Sequence, residues 1–284
     1  MTVSEYLKYR VLRRPLRLHR GTDTGKGPLV VLLHGIGQSH VVWQPLVPMF
    51  SRDNCRVVGF DLLGFGESPI PDWLDYTVDD HVDALLASIK KLRPTQPIIL
   101  VGHSMGCLIA VRLAYRRPDL VKHLVLYEMP IYEGLPNKRR YRWRVDAYRT
   151  LYDQISAMQP VAKGKQGLAQ ALVQKVTGQQ IDAASWQPYV KSLKNTIVKQ
   201  NAAAEIVQLK MPIDVLFGRR DMLVIRGKVQ QIFGTDTGHI SAHTIRERHR
   251  VTQRASLFIY ERVRAALKAG QTSTGHSRLK DLLS

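Results

Sequence analysis

Cysteine is scarce in this sequence, and long apolar runs are missing. Two cysteines in 284 residues exclude a disulfide-stabilised scaffold and a zinc site built from four cysteines. The longest apolar stretches, such as residues 29–33 and 98–101, have the length of a β-strand, whereas a membrane-spanning helix needs roughly 20 residues. No long apolar block follows the basic residues near the N-terminus, so we see no secretory signal. We therefore expect a cytoplasmic protein without a transmembrane segment.

Acidic residues are also few, with 23 Asp and Glu against 42 Lys and Arg, which gives a formal net charge of +19. Such a charge suggests contact with nucleic acid or with an anionic membrane surface. The basic residues are spread along the chain, however, and no zinc-finger or RNA-binding signature accompanies them. We therefore expect a basic, solvated surface and no nucleic acid partner. Weak contact with an anionic membrane surface is the alternative, in which residues 1–14 would lie on the lipid. The sequence does not indicate an oligomeric state.

Short apolar runs alternate with helical patterns, which predicts an α/β fold. The runs cover residues 28–34, 55–60, 97–102, 123–127 and 213–218. Continuous apolar runs of this length are typical of strands buried on both faces. The helical patterns between them, such as residues 78–92 and 105–115, predict a mostly parallel central sheet with helices on both faces. Before the first run, residues 10–20 predict an edge strand and residues 21–27 a glycine-rich turn.

The alternation breaks in the middle of the chain, where the apolar period becomes helical. One face of a predicted helix consists of Trp186, Val190, Leu193 and Ile197. We predict a helical cap at residues 132–208, inserted into a core made of residues 1–131 and 209–284. The cap could cover the C-terminal edge of the sheet, where open α/β folds bind their ligands. Residues 270–284 are polar and predict a frayed tail.

A G-x-S-x-G motif, Gly102-His103-Ser104-Met105-Gly106, lies between an apolar strand and a helical pattern. In this context the serine turns sharply from strand to helix, so its hydroxyl stands clear of the sheet. Glycines on either side remove Cβ atoms that would collide with the neighbouring elements. Ser104 is therefore the candidate nucleophile, while we expect His103 to pack beside it and not to act as a base.

Together with three further segments, this motif resembles the α/β-hydrolase superfamily, in particular its members with a helical cap. His34-Gly-Ile-Gly37 ends the first buried run, where this family keeps its oxyanion turn. Residues 61–68, Asp-Leu-Leu-Gly-Phe-Gly-Glu-Ser, are similar to the family's D-x-x-G-x-G-x-S loop. Gly218-Arg-Arg-Asp221 is similar to the turn that carries the catalytic acid. The resemblance covers nearly the whole chain. It implies an α/β-hydrolase fold with a helical cap, esterase or lipase-like activity and a Ser-His-Asp triad.

The resemblance also assigns the acid and the oxyanion hole. In this family the acid follows the serine along the chain and precedes the histidine. Asp221 is the expected acid, and Glu128, which follows the fourth apolar run, is the alternative because some relatives place the acid there. The oxyanion hole is expected to consist of the backbone N–H groups of Ile36 and Met105. His34 is expected to hold the oxyanion turn in place.

Three histidines, His239, His243 and His249, follow the expected acid and are candidates for the base. His243 lies inside an apparent strand at residues 240–245, and His239 precedes that strand. His249 follows the strand's C-terminal end, the edge of the sheet from which the serine also emerges. We therefore expect His249 to be the base, with His239 as the alternative. Relatives usually carry glycine before this histidine, whereas this sequence has Arg248.

The predicted function is hydrolysis of carboxylic esters through an acyl-enzyme intermediate. The alternatives are a C–C bond hydrolase or a cofactor-free haloperoxidase of the same fold, and a small-molecule-binding protein with low turnover. In the first of these, an anionic substrate could contact the cap arginines Arg139, Arg140, Arg142 and Arg144. No metal-binding motif such as H-E-x-x-H occurs, and no cofactor is implied. The sequence indicates neither the substrate nor its acyl chain length.

Overall fold

In a computed structural model of the chain, the residues described are 15–131, 146, 150, 174, 181–221, 224 and 238–269. Several sequence predictions concern residues outside these ranges. They are the lipid-contacting segment 1–14, the cap arginines between 139 and 144, most of the predicted cap, and the polar tail. Among the described residues, no helix is both long and apolar enough to cross a membrane.

The described strands form one twisted sheet of seven strands in the order β1-β3-β2-β4-β5-β6-β7. The strands are β1 Arg20–Gly25, β2 Leu29–Leu33, β3 Arg56–Phe60, β4 Ile98–His103, β5 Val121–Tyr127, β6 Ile213–Gly218 and β7 Ile240–Ile245. Only β1 is antiparallel to its neighbour, and the other five pairings are parallel. The predicted mostly parallel sheet is confirmed. Because β2, β4, β5, β6 and β7 run parallel, the residues that follow them lie along the same C-terminal edge of the sheet.

The edge strand lies later in the sequence than the alternation of residues 10–20 predicted. β1 occupies Arg20–Gly25, inside the segment expected to be a turn, and pairs with β3. Two features explain the shift. The β-branched Thr22 and Thr24 suit an extended strand. The turn itself begins only at Gly25 and Gly27, whose φ angles of 79° and 116° favour glycine.

Helices cover both faces of the sheet. They are α1 Val78–Leu92, α2 Met105–Arg116, α3 Trp186–Ser192, α4 Ala202–Ile206 and α5 Gln253–Ala269. Helices α1 to α4 pack on one face, against side chains such as Leu33 and Leu100. The opposite face packs against α5 and two short 3₁₀ helices, through side chains such as Leu32 and Val101. Alternate residues of each central strand thus point to opposite cores, which explains their continuous apolar sequences.

The last stretch of the predicted cap packs onto the core beside α2. Helix α3 continues as a π-helical turn over Leu193–Val198, and the predicted apolar face of this segment is buried. Side-chain bonds tie it to the loop before α1, since the Thr196 hydroxyl donates to the Tyr76 carbonyl oxygen at 2.8 Å. Residues 181–206 are therefore joined to the sheet by packing as well as by the chain.

Candidate active site

The G-x-S-x-G motif forms the connection between β4 and α2, with Ser104 at its apex. Ser104 has φ 53° and ψ −119°, a backbone conformation that L-residues seldom adopt and that marks stored strain. A Cβ atom on Gly102 would lie 2.7 Å from the backbone of Cys107, and one on Gly106 would overlap the carbonyl oxygen of Leu33. The two glycines are thus required by the close approach of strand and helix. They allow the serine hydroxyl to stand above the sheet edge.

Ser104, His249 and Asp221 form a hydrogen-bonded chain. His249 Nε2 lies 2.9 Å from Ser104 Oγ, and His249 Nδ1 lies 2.7 Å from Asp221 Oδ2. Because an ionised carboxylate only accepts hydrogen bonds, Nδ1 carries the ring proton and Nε2 is left to accept the serine proton. Asp221 and Ser104 are both buried. The structure therefore brings together the three residues expected to form the triad.

Two turns of the chain at the C-terminal edge hold the acid and the histidine. Asp221 closes the turn after β6, where its N–H donates to the Gly218 carbonyl oxygen at 3.2 Å. His249 lies four residues after β7, in a segment fixed by the Tyr127 hydroxyl. That hydroxyl shares its one proton between the carbonyl oxygens of Arg248 at 3.2 Å and Arg250 at 2.9 Å. The tyrosine at the end of β5 thus fixes the backbone on both sides of the histidine.

The alternative base and alternative acid occupy different positions. His239 lies at the opposite edge of the sheet, where its carbonyl oxygen accepts the N–H of Ile213 at the start of β6. Glu128 follows β5 with φ 54° and is fully buried. It is close to the triad, since its carboxylate lies within 4.8 Å of the ligand atoms of Asp221 and His249. The hydrogen bond from His249 Nδ1 nevertheless goes to Asp221.

The turn after β2, predicted to carry one oxyanion donor, is held from two sides by hydrogen bonds. His34 Nδ1 donates to the Gly35 carbonyl oxygen at 2.7 Å, and His34 Nε2 accepts the Leu62 N–H at 2.8 Å. Burial lowers the pKa of His34 to about 4, so the ring is neutral and can accept at Nε2 while donating at Nδ1. The turn contains Ile36 directly after Gly35. Met105 begins α2, where backbone N–H groups have no acceptor within the helix.

One residue of the turn, Gln38, has a contact that no sequence motif signalled. Its Oε1 accepts both the Gly35 N–H and the His103 Nδ1–H, each at 3.0 Å. His103 is fully buried, stacks on Tyr127 and lies 5.1 Å from the His249 ring, centroid to centroid. Burial, followed by the neighbouring His249, keeps the pKa of His103 well below its usual value. Gln38 therefore links the turn after β2 to the residue before Ser104.

Two groups of described residues have the spacing of metal ligands. One is Glu128 with Asp221 and His249, and the other is His19 with His40 and Asp61. In the second group both histidines hydrogen-bond to the Asp61 carboxylate, at 3.0 and 2.9 Å. Asp61 also accepts two backbone N–H groups, and its pKa is lowered to about 2 because these bonds outweigh the effect of burial. In the first group, His249 is hydrogen-bonded to Asp221; in the second, both histidines are hydrogen-bonded to Asp61.

Sequence comparison finds a family match and several partial relatives. The profile of the α/β-hydrolase fold family matches residues 28–239. A probable lysophospholipase, BODYGUARD 4 of Arabidopsis thaliana, is 39% identical over 104 residues, which are 36% of this chain and 25% of that protein. A 2-(acetamidomethylene)succinate hydrolase of Mesorhizobium japonicum is 31% identical over 143 residues, half of each chain. A 2-hydroxy-6-oxo-6-(2'-aminophenyl)hexa-2,4-dienoic acid hydrolase of Metapseudomonas resinovorans is 34% identical over 110 residues, 38% of this chain and 37% of the other. The chain thus matches half or less of each of these relatives.

Solved structures resemble the whole fold at lower identity. An enol-lactonase from Burkholderia xenovorans has a TM-score of 0.64 at 20% identity, covering 88% of this chain and 96% of the other. A thermophilic esterase from Thermogutta terrifontis also has a TM-score of 0.64 at 20% identity, covering 88% and 93%. At this identity the likeness concerns the fold alone.

Proposed function

Because the chain belongs to the α/β-hydrolase fold family, we propose that it is a serine hydrolase that cleaves carboxylic esters through an acyl-enzyme intermediate. The observation that carries the proposal is the chain of hydrogen bonds from Ser104 through His249 to Asp221. A serine hydroxyl becomes a useful nucleophile only when a base takes its proton. Here the base lies at hydrogen-bonding distance and a buried carboxylate orients it.

In the first step Ser104 Oγ attacks the ester carbonyl carbon, and its proton passes to His249 Nε2. The positive charge that develops on the imidazole is stabilised by Asp221, which also keeps the ring in the correct tautomer. The carbonyl oxygen becomes an oxyanion, which the backbone N–H groups of Ile36 and Met105 stabilise by hydrogen bonds. Collapse of this intermediate expels the alkoxide, which takes the proton from His249 Nε2.

In the second step water hydrolyses the acyl-enzyme. His249, neutral again, removes a proton from a water molecule that attacks the acyl carbonyl carbon. The second oxyanion forms at the same pair of N–H groups. When it collapses, the bond to Ser104 Oγ breaks, the carboxylic acid leaves and the serine regains its proton. Side chains, backbone N–H groups and water supply every group in this cycle.

The names of the partial relatives support hydrolysis but point to different substrates. One is named as a probable lysophospholipase and two as hydrolases of smaller acids. The dienoic acid hydrolase makes cleavage of a C–C bond the second candidate function. A panel of p-nitrophenyl esters of increasing acyl length, together with a dienoic ketoacid, distinguishes the two candidates. Ester turnover without ketoacid cleavage supports the proposal.

The decisive test combines a covalent probe with paired substitutions. A fluorophosphonate probe should label the wild-type protein but not Ser104→Ala, whose kcat on esters should fall by roughly 10⁶-fold. His249→Gln should cause a comparable loss, since removal of either member disables the same unit. The matched control is His239→Gln, which changes the alternative base at the opposite edge of the sheet and should leave turnover near the wild-type rate.

Three results would contradict the proposal. Labelling of the Ser104→Ala protein would place the nucleophile elsewhere. Loss of turnover in His239→Gln but not in His249→Gln would identify the other histidine as the base. An unlabelled, inactive wild-type protein that still binds ester analogues would favour a small-molecule-binding protein with low turnover.

A further inference from the structure

Beside the candidate active site, the segment after β7 presents a row of arginines. Residues 246–250 alternate in exposure: Arg246, Arg248 and Arg250 are exposed, while the residues between them are partly buried. The segment consists of bends and loop and not of strand, so the alternation in exposure itself shows which side chains point outward. His249 therefore faces Ser104, and the three guanidinium groups face outward.

Two more arginines join this row from the neighbouring turn. Arg219 and Arg220 follow β6 and are both exposed. Their backbone N–H groups donate to the carbonyl oxygens of Ile245 at 2.7 Å and Glu247 at 2.9 Å, which fixes one turn against the other. The set, which we call the arginine face, consists of Arg219, Arg220, Arg246, Arg248 and Arg250.

The charge of the arginine face is not neutralised within the part of the chain that the structure describes. There, none of its guanidinium groups lies within ion-pair distance of a carboxylate. Other arginines do pair: Arg56 with Asp23 at 2.7 Å and Arg112 with Asp79 at 2.9 Å. The arginine face thus places five exposed cations on two adjoining turns beside the candidate active site.

Exposed apolar side chains adjoin the arginine face. Helix α5 begins three residues after Arg250, and Arg254 in its first turn approaches Glu247 at 3.9 Å. Leu257 and Phe258 follow Arg254 by three and four residues, so they share its side of the helix. Their exposed fractions are 48% and 37%. Apolar side chains next to cations are the combination that binds at a lipid interface.

We propose that the arginine face, with Leu257 and Phe258, docks on the surface of an anionic lipid bilayer. Guanidinium groups bind phosphate oxygens bidentately, and the two apolar side chains enter the boundary between headgroups and acyl chains. Nucleic acid would use the charge but would leave the exposed Leu257 without a role. The proposal does not depend on ester hydrolysis, although docking here would place the edge that carries Ser104 beside the lipid.

The test measures sedimentation of the full chain with vesicles. Large unilamellar vesicles of phosphatidylcholine alone are compared with vesicles containing about 30% phosphatidylglycerol, at about 50 and about 300 mM NaCl. The triple variant Arg246→Gln, Arg248→Gln, Arg250→Gln should weaken partitioning into anionic vesicles by roughly 100-fold at the lower salt concentration. Binding of the wild-type protein should also weaken as salt is raised.

The matched control removes the same charge from another surface. Lys90, Lys91 and Arg93 are exposed at the end of α1, and their triple change to Gln should alter partitioning by less than about 3-fold.

Leu257→Ser with Phe258→Ser should weaken binding at both salt concentrations, because this contribution is apolar. If the arginine triple variant does not fold, as judged by circular dichroism, the single variants are used instead. Each should weaken binding by roughly 5-fold.

Four results would overturn the proposal. The first is absence of wild-type binding to anionic vesicles. The second is equal loss in the two triple variants, which would mean that net charge alone matters. The third is loss only when Lys8, Arg10 and Arg13 are changed to Gln, which would assign binding to the N-terminal segment. The fourth is binding to a short DNA duplex that depends on the arginine face while vesicle binding does not.

Discussion

Gln38 offers the sharpest test of how the oxyanion turn is positioned. Its Oε1 is the shared acceptor of the Gly35 N–H and of the His103 Nδ1–H. Both donor residues are buried. Changing Gln38 to Ala removes the acceptor and leaves two buried donors without a partner. It also releases the turn that carries the proposed oxyanion donor Ile36 from the nucleophile elbow.

The size of the effect follows from the two lost bonds. An unsatisfied buried donor costs about 1–3 kcal/mol, so the free energy of unfolding should fall by about 2–6 kcal/mol in Gln38→Ala, and by less if water enters. Removing one oxyanion donor outright lowers kcat by about 10²–10³-fold. Displacing it through loss of Gln38 should lower kcat by roughly 10–100-fold while KM changes little, because the oxyanion exists only after attack.

Two further variants separate positioning from stability. Gln38→Glu keeps an acceptor for both donors and should remain close to wild type in urea unfolding, yet its negative charge beside the oxyanion should lower kcat. Gln44→Ala removes an exposed glutamine from a 3₁₀ helix cap nearby and should change neither quantity. If Gln38→Ala is destabilised but turns over p-nitrophenyl acetate at the wild-type rate, Gln38 supports the fold only and our reasoning about the turn is wrong.

Three other predictions concern the acid, the elbow and the buried histidines. Asp221→Asn should lower kcat on p-nitrophenyl acetate by about 10³–10⁴-fold, because the amide no longer fixes the tautomer of His249; full activity would point to another carboxylate. Gly106→Ala should prevent folding or lower the free energy of unfolding by more than about 3 kcal/mol, because its Cβ overlaps a strand carbonyl oxygen; a wild-type urea midpoint would contradict this. Burial lowers the pKa of His34 to about 4 and that of His81 to about 3. The unfolded chain therefore binds protons that the folded chain does not as pH falls below about 6.5, and each histidine should cost about 2 kcal/mol of stability at pH 5. Urea unfolding at pH 7.5 and pH 5 checks this. Between these two pH values, the free energy of unfolding of His81→Leu should fall by about 2 kcal/mol less than that of the wild-type protein.

The strand–turn–helix connection around Ser104 could be predicted from sequence because its requirements are local. A strand, a strained serine and a helix follow one another within a few residues, and a Cβ atom on Gly102 would meet the backbone of Gly106 and Cys107 in the same turn. The central strands could also be predicted from sequence, because a strand buried on both faces needs a continuous apolar sequence. Both predictions rest on neighbours along the chain.

Contacts between segments that are distant along the chain could not be predicted from the sequence. Gln38 lies 65 residues from His103, and nothing in a glutamine after a glycine turn indicates that it will meet a buried imidazole. Tyr127 looked like the last apolar residue of a strand, yet its hydroxyl reaches the carbonyl oxygens on both sides of His249. Such polar contacts depend on tertiary packing, and sequence periodicity does not contain them.

The departure at Arg248 has a structural explanation. The resemblance to the α/β hydrolases implies glycine before the histidine, whereas this sequence has Arg248. Arg248 is exposed, and only its backbone oxygen contributes to holding His249, through the Tyr127 hydroxyl. Its side chain is exposed, whereas that of His249 is partly buried against Ser104. The site therefore accommodates arginine, which is free to act at the surface.

Strand geometry explains why His249, and neither of the other two candidate histidines, lies beside Ser104. His239 precedes β7, His243 lies within it and His249 follows it. A strand of six residues spans about 20 Å, so a residue before β7 lies far from the edge where Ser104 emerges. His243 is bound within the sheet layer, where its Nε2 and that of His123 each lie 2.8 Å from the Asp214 carboxylate. Only a histidine beyond the C-terminal end of the strand can reach the serine, whatever residue precedes it.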